Sequence, residues 1–564
     1  MLGEVIATDG GENGPLSEHA LGSVAFPRLD HAQIESLARC TRAERKRYRD
    51  GERFFRVGDR TYHFYVVLSG RIEIVDESND PPRAVTHHEP GEFTGDVQQL
   101  TGRPALVSDI ARGSCEVYEI SPEGVRQIVN RDPRLGDVIL QAFIARRQLL
   151  RTADEYVGVR VIGSRYSPDT FRIRDFLCRN RAPFTWFDLE SDAQLAELLE
   201  RFDVTRDQTP VVTWGKDTFL RNPSNRELAD ALGLRTPFEQ TFYDLVVVGA
   251  GPAGLAAAVY GASGGLRTLV LERSVPGGQA GASMRIENYL GFPTGISGGE
   301  LADRAFIQAT KFGAKLPVAT TVARLSFEND YPVVNLDDGQ SVTAKCLIIA
   351  TGAQYRRLPV EGCERYEGSG VYYAATLPEA LACRGVNAVV VGGGNSAGQA
   401  AVYLSQLARR VCLVVRDSDL SQHMSGYLVQ RIEEISNIEV LLNTEVKRMH
   451  GDGTLQRVGV VNHKTGETIT IETPALYCFL GAVPHTDWLP PEVERDDENF
   501  VLTGPALIEA RRWTLKRQPF LLETSCPGVF AAGDVRSGSV KRITSAVGEG
   551  AMAVQFVHEF LKEM

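Results

Sequence analysis

A short apolar strand that runs straight into a glycine-rich turn and then into a small-residue helix occurs twice in this chain. The first copy is Asp244-Leu245-Val246-Val247-Val248, then Gly249-Ala250-Gly251-Pro252-Ala253-Gly254, then a helix from Leu255 to Ala262. The second is Ala388-Val389-Val390-Val391, then Gly392-Gly393-Gly394-Asn395-Ser396-Ala397, then a helix from about Gly398 to Leu407. A continuous apolar run marks a strand buried on both faces of a parallel sheet. In such a unit the first glycine makes the tight turn and the second lets the backbone approach a ligand. The third lets helix and strand pack closely, with the helix N-terminus facing an anion. After the first copy, the strand Thr268-Leu269-Val270-Leu271 ends at Glu272, where a carboxylate accepts bonds from ribose hydroxyls. After the second, Val411-Cys412-Leu413-Val414-Val415 ends at Arg416, a cation that suits a 2′-phosphate. Two dinucleotide sites in one chain imply a flavin and a nicotinamide exchanging a hydride, and Arg416 favours NADPH over NADH.

Composition narrows the alternatives. At roughly 150 residues per domain, a chain of 564 residues holds three or four. No run of 18 apolar residues occurs, which excludes a membrane-spanning helix. Met1 to Gly22 is polar and acidic with no apolar core, so no secretory signal is expected and the chain reads as cytoplasmic. The net charge of -11 argues against a nucleic-acid partner. Nine cysteines occur, no two of them in a CxxC, and they read as buried free thiols. No cysteine and histidine cluster has ligand spacing, so no metal site is expected.

Ahead of the glycine units lie two further segments. Phe26 to Leu150 opens with a helix around Gln33 to Arg39. It continues with strands at Phe64–Leu68 and Arg71–Val75, separated by turn signals at Ser69-Gly70 and Pro90-Gly91, and closes with helices over Pro122 to Arg151. Val157 to Leu234 alternates strand and helix. Strands are expected at Val159–Ile162, at Phe184–Phe187 and from Thr209, with helices at Thr170–Asn180, Ala193–Phe202 and Asn225–Leu232.

Residues 241–564 resemble low-molecular-weight thioredoxin reductase and its relatives. The resemblance rests on the paired glycine units and on several further blocks. Pro276-Gly277-Gly278-Gln279 and Ile286-Glu287-Asn288-Tyr289-Leu290-Gly291-Phe292-Pro293 look like the family's flavin-contacting loops. Ala350-Thr351-Gly352-Ala353 resembles the strand end leading out of the FAD domain. Gly528-Val529-Phe530-Ala531-Ala532-Gly533-Asp534 resembles the C-terminal FAD motif, whose Asp bonds the ribityl chain. Lys541-Arg542-Ile543-Thr544 aligns with the segment along the flavin pyrimidine edge.

The resemblance implies a set of cofactor residues. For FAD they are Gly249, Gly251, Pro252, Ala253, Gly254, Glu272, Gly278, Gln279, Asn288, Gly352, Gly533, Asp534, Arg542 and Ile543. For NADPH they are Gly392, Gly394, Asn395, Ser396, Ala397 and Arg416. It also implies a homodimer, and an NADPH domain (residues 357–483) inserted in a split FAD domain (residues 241–356 and 484–564).

The departure matters as much. Where the family carries a CxxC ahead of the second glycine unit, this chain has Ala374 and Leu377. Without that dithiol, electrons leave to another acceptor, a small molecule or a redox protein.

Residues 157–235 resemble a glutaredoxin- or thioredoxin-like domain. Ser167-Pro168-Asp169-Thr170 stands where the family has CPxC, and Thr209-Pro210 resembles its cis-proline site. Both sulfurs are missing. Residues 26–151 resemble a cyclic nucleotide-binding domain, with Gly95-Asp96 and Leu100-Thr101-Gly102-Arg103-Pro104-Ala105 at its phosphate cassette. Ala105 falls where that family's phosphate Arg is expected, and Arg103 lies two positions early. A cyclic nucleotide is the effector the resemblance suggests.

The expected fold is thus α/β: two Rossmann-like dinucleotide-binding domains preceded by a small α/β thioredoxin-like domain and a β-roll cyclic nucleotide-binding-like domain. The expected function is an FAD-dependent NADPH oxidoreductase with an unidentified acceptor and no assigned catalytic side chain. Two alternatives are a redox or ligand sensor with little turnover, and a reductase using a cysteine pair formed on folding, such as Cys363 and Cys383.

Overall fold

The computed structural model describes residues 24–564 except 78–81, 97, 102–103, 106, 153–158, 181, 183, 192–198, 200–203, 206–207, 215–217, 236–240, 284, 374 and 376. Arg103, Ala374 and the helix expected at 193–202, Leu199 excepted, therefore lie outside the described residues, as do residues 236–240.

The first segment is an antiparallel sheet in which Glu44–Tyr48, Ser108–Ile120, Phe64–Asp76 and Arg83–His88 are neighbours in that order, with Arg53–Phe55 also on Ser108–Ile120. Helices His31–Thr41, Pro122–Arg131 and Pro133–Thr152 flank it. The two strands expected at 64–68 and 71–75 are one strand, Phe64–Asp76, whose register shifts on either side of Ser69. Gly70 has φ +80°, and a Cβ there would lie 2.5 Å from the Ser114 carbonyl oxygen. The glycine therefore marks a bulge where the facing strand comes close, not a turn. Arg146, from the last helix, is buried in this segment and donates to the carbonyls of Ala25, Phe93 and Gly95.

The second segment is a four-stranded sheet in the order Phe184–Asp188, Val159–Gly163, Val211–Trp214, Thr218–Arg221. The first pair is parallel and the others are antiparallel. The helix Pro168–Arg179 starts at its cap Ser167, whose hydroxyl accepts from the Thr170 N–H at 3.3 Å, with Pro168 in the first turn. The Thr209–Pro210 peptide is cis, and the third strand starts after it. A Cβ on Gly163 would meet Thr170 and Pro210 at 2.4 and 2.8 Å, so the helix start and the proline loop face each other.

The two glycine units anchor two further sheets. In the first, Thr268–Leu271, Phe242–Val248, Ser341–Ile349, Tyr331–Leu336 and Val322–Glu328 lie side by side, with Val529–Ala531 paired to Ser341–Ile349. In the second, five parallel strands run in the order Val371–Tyr372, Ala475–Cys478, Asn387–Val391, Arg410–Val414, Ile438–Leu441. The chain leaves the first sheet through Ala353–Tyr355 and returns through Ala482–Pro484, and these two crossings pair antiparallel. A chain segment from 529 therefore completes a sheet begun at 242, around an inserted second domain.

The appended segments share cores with the first nucleotide domain. Val275, Val318 and Ala319 pack into the core built by Val159, Ile173, Leu228 and Leu232. Ile307, from the helix Gly298–Lys311, packs into that of the first segment. Such shared burial of about 25 cal/mol per Å² of apolar area favours fixed docking over tethering by a linker.

Candidate active site

The first glycine turn is dictated by contacts that exclude side chains. Gly249 has φ +101°, and a Cβ there would lie 2.4 Å from the Ala350 carbonyl oxygen. A Cβ on Gly254 would sit 1.8 Å from the Gly249 carbonyl oxygen. Gly251 caps the helix Pro252–Ser263, which has Pro252 in its first turn and no side-chain cap bond, so its leading N–H groups stay available. Above it lies Gly278, with φ +54° and a Cβ direction that reaches the Gly251 Cα at 3.0 Å. Gln279 donates to the Ala353 carbonyl, tying this loop to the crossing into the second domain.

Glu272 stands at the end of the neighbouring strand, 8 % exposed. Its Oε2 accepts from the Ala250 N–H and its Oε1 from the Ser274 N–H, both at 2.8 Å. Burial pushes its carboxyl above the usual range, while those two bonds and the charges of Arg179 and Arg273 pull it back. Glu272 therefore braces the glycine turn.

From the far end of the chain, Gly533 (φ +79°) brings a Cβ direction to 3.0 Å from the Ala253 Cβ. Its N–H donates to Glu549 at 2.7 Å. Asp534 beside it is half-buried, its carboxyl raised by burial and lowered by Lys541. The helix Ile543–Glu563 crosses Pro252–Ser263 closely: a Cβ on Gly550 would lie 2.1 Å from the Ala253 carbonyl. Gly352 (φ +64°) lies where the chain leaves the sheet. Gly249 to Gly254, Glu272, Gly278 and Gly533 thus share direct contacts. Asn288 and Arg542 are exposed, and Lys541 lies with its Nζ 4.5 Å from the Phe500 ring centre.

The second turn repeats the pattern. Gly392 has φ +140° and a Cβ direction 2.4 Å from the Phe479 carbonyl oxygen; Gly394 caps the helix Asn395–Ser405. The Asn395 side chain accepts from the Ser425 N–H at 2.7 Å, and Ala397 is buried under the turn. Arg416 is exposed. Sequence reasoning missed Asp417: its Oδ2 lies 3.2 Å from the Cβ direction of Gly393. An acid directly after the strand-end cation was the available signal. The link Arg431–Glu287, 2.9 Å, joins this domain to a flavin-side loop and was not foreseen either.

Cysteine chemistry is muted. All nine are free; Cys383 is fully buried and donates to the Ala380 carbonyl at 3.1 Å, and Cys363 lies 3.8 Å from the Tyr373 hydroxyl. Burial raises both thiols, and pushes Cys346 up to about 12 and Cys115, Cys412 and Cys526 to about 11. Among the described residues, no group of three or more His, Cys, Asp or Glu is placed to hold a metal, and no helix is long and apolar enough to cross a membrane.

Paired dinucleotide folds of this construction, one inserted in the other, define a class of flavin- and nicotinamide-linked oxidoreductases. The chain belongs to the pyridine nucleotide-disulphide oxidoreductase family, which matches residues 243–550, and it carries a cyclic nucleotide-binding domain matched over residues 45–132. Among relatives, the thioredoxin reductase of Bacillus subtilis is 34% identical over 327 residues, 58% of this chain and 97% of that protein. The 34.2 kDa protein in the rubredoxin operon of Clostridium pasteurianum is 32% identical over 323 residues, 57% of this chain and 98% of that protein. The crystal structure of Lactococcus lactis thioredoxin reductase superposes with a TM-score of 0.51 at 31% identity, covering 57% of this chain and 100% of that one. The chain is thus an oxidoreductase of the thioredoxin reductase type, a family that uses FAD and NADPH.

Proposed function

We propose that this chain oxidises NADPH through FAD and passes the electrons to an external acceptor, with no internal dithiol relay. The observation that carries it is the pairing of two complete glycine cradles with Ala374 and Leu377 at the dithiol position. Bound FAD would supply the two-electron chemistry that links the nicotinamide to the acceptor. The chain's own residues do the rest. Gly249, Gly251 and Gly254 admit the diphosphate to the N-terminus of Pro252–Ser263, and Glu272 fixes the turn and faces the ribose. Asp534 faces the ribityl chain, while Lys541 and Arg542 supply positive charge near the ring's pyrimidine edge. Gly392 to Ala397 do the same for NADPH, with Arg416 beside the 2′-phosphate.

The fit is supported by the cradles themselves, where a Cβ on Gly249, Gly254 or Gly392 would collide with backbone. The acceptor is an electron-accepting small molecule or redox protein that does not need an enzyme thiolate. Anaerobic addition of NADPH to the purified protein tests this: the visible flavin absorbance should bleach rapidly, and faster than with NADH. A protein that stays yellow with both nucleotides would sink the proposal.

We read residues 157–235 as a thioredoxin-like module that has lost its thiol chemistry, on the strength of Gly163, Thr170 and Pro210 meeting at the helix start. The first domain is read as an effector module. Its Ala105 is buried, and among the described residues the fully buried Asp109 carboxyl has no hydrogen-bond partner. The Ala105 side chain offers no cation to a cyclic phosphate, so calorimetric titration with cAMP and cGMP separates a nucleotide effector from another ligand.

A further inference from the structure

The helix Pro168–Arg179 belongs to the appended α/β unit, yet each of its ends touches a different nucleotide domain. At its start, Pro168 lies 3.5 Å from the Cβ direction of Gly368, and the Phe171 ring centre is 5.5 Å from that of Tyr372. At its end, the Arg179 Nη2 donates to the Gly278 carbonyl at 3.0 Å. Asp175, one turn back, holds the guanidinium through an ion pair at 3.6 Å.

Gly278 is the residue packed on Gly251, the middle glycine of the flavin turn. Gly277 and Gly278 have φ of +101° and +54°, so two successive residues are in the left-handed region with no side chain to hold them. A glycine pair has the largest conformational freedom of any dipeptide and stays in one shape only when bonded from outside. At Gly277 the N–H donates to the Ala250 carbonyl at 2.7 Å and the carbonyl accepts from the Gly281 N–H at 2.9 Å. Among the described residues, the Gly278 carbonyl takes its bond from Arg179.

We infer that Arg179 is a positioning residue of the flavin site, holding the Gly277-Gly278 loop over the dinucleotide turn, so that the appended unit completes the cofactor site of the domain it is fused to. This rests on the FAD reading above. A charged donor bonded to a carbonyl is stronger than a neutral one, and losing it corresponds to roughly tenfold in an equilibrium constant.

The test uses the full chain, stripped of flavin and titrated with FAD by fluorescence quenching, with thermal melting of the stripped protein alongside. Arg179→Ala should weaken FAD binding about tenfold and speed FAD release, with the stripped protein melting as wild type does. Arg179→Lys should recover part of the loss. Arg172→Ala serves as the control: its side chain bonds Asp169, Asn222, Asn225 and the Pro223 carbonyl, all inside the α/β unit. It should loosen the unit and leave FAD affinity within about twofold. Wild-type affinity in Arg179→Ala overturns the inference, and so does an equal loss in Arg172→Ala, which would assign the effect to the unit's general stability. If the wild-type chain itself binds no FAD, the functional proposal fails and takes the inference with it.

Discussion

The first glycine turn offers a paired experiment in which one methyl group, placed at two positions three residues apart, should have opposite consequences. At Gly254 a Cβ would stand 1.8 Å from the Gly249 carbonyl oxygen and 2.9 Å from its carbon. Both are backbone atoms that cannot swing away, so the helix must shift against the strand by about 1 Å or more to restore a normal contact of about 3.4 Å. Overpacking of this kind costs about 3 kcal/mol, offset by about 1 kcal/mol from the better helix propensity of Ala. A net loss of about 2 kcal/mol lowers the melting temperature of a domain of this size by about 4–8 °C, with or without FAD. At Gly251 the backbone is ordinary, φ −71°, and a Cβ meets only the Gly278 Cα at 4.0 Å. Gly251→Ala should therefore leave the flavin-free protein within about 0.5 kcal/mol of wild type. It should still weaken FAD about tenfold or more, because the methyl stands where the diphosphate must approach. Calorimetric melting of the flavin-free proteins and FAD titration of each separate the two effects. Unchanged FAD affinity in Gly251→Ala would show that this turn is not a diphosphate cradle. A wild-type melting temperature in Gly254→Ala would show that the close contact carries no energy.

Other expectations follow from single side chains. Arg416→Ala should lower the ratio of kcat/KM for NADPH over NADH about tenfold. Asp417→Ala should raise it, since a carboxylate facing the turn repels a 2′-phosphate; steady-state kinetics with both nucleotides decides. His88 is buried and its pKa is lowered by that burial to about 4, against 6.5 when exposed. The unfolded chain thus binds the extra proton first. Stability is fully present above about pH 6.5 and is lost, by as much as about 3 kcal/mol, as pH falls toward 4. Melting curves between pH 7.5 and 4.5 should show this limb, and His88→Gln should flatten it. Asp109 is the reverse case: it is fully buried, has no hydrogen-bond partner among the described residues, and burial raises its carboxyl well above the usual range, so the folded chain binds this proton more tightly than the unfolded one. Its penalty grows as pH rises, so Asp109→Asn should melt higher than wild type at pH 8 and gain less at pH 5.

Both nucleotide domains were legible in the sequence because their signals are local. A strand buried on both faces is an uninterrupted apolar run. A turn that must reach φ +101° or +140°, or admit a backbone within 2 Å of a Cβ direction, tolerates only glycine. That no CxxC occurs was equally plain, since the spacing of the nine cysteines needs no structure to be read. Gly70 shows where such local evidence stops. The same glycine serves a hairpin turn and a bulge, and only the facing strand at Ser114 and Cys115 decides between them. Arg416 was visible as the strand-end cation, but Asp417 became a competing group only when the turn placed Gly393 against it.

Neighbouring residues alone therefore specify the two cradles and the ligands they suit. Tertiary structure alone decided that Glu272 braces the turn, that Arg431 reaches Glu287, and that Arg179 holds Gly278 across 99 positions of chain. Strand period and glycine conformation are properties of a few neighbouring residues. A hydrogen bond between distant segments depends on how whole domains dock, and here the docking is set by apolar cores shared across domain boundaries.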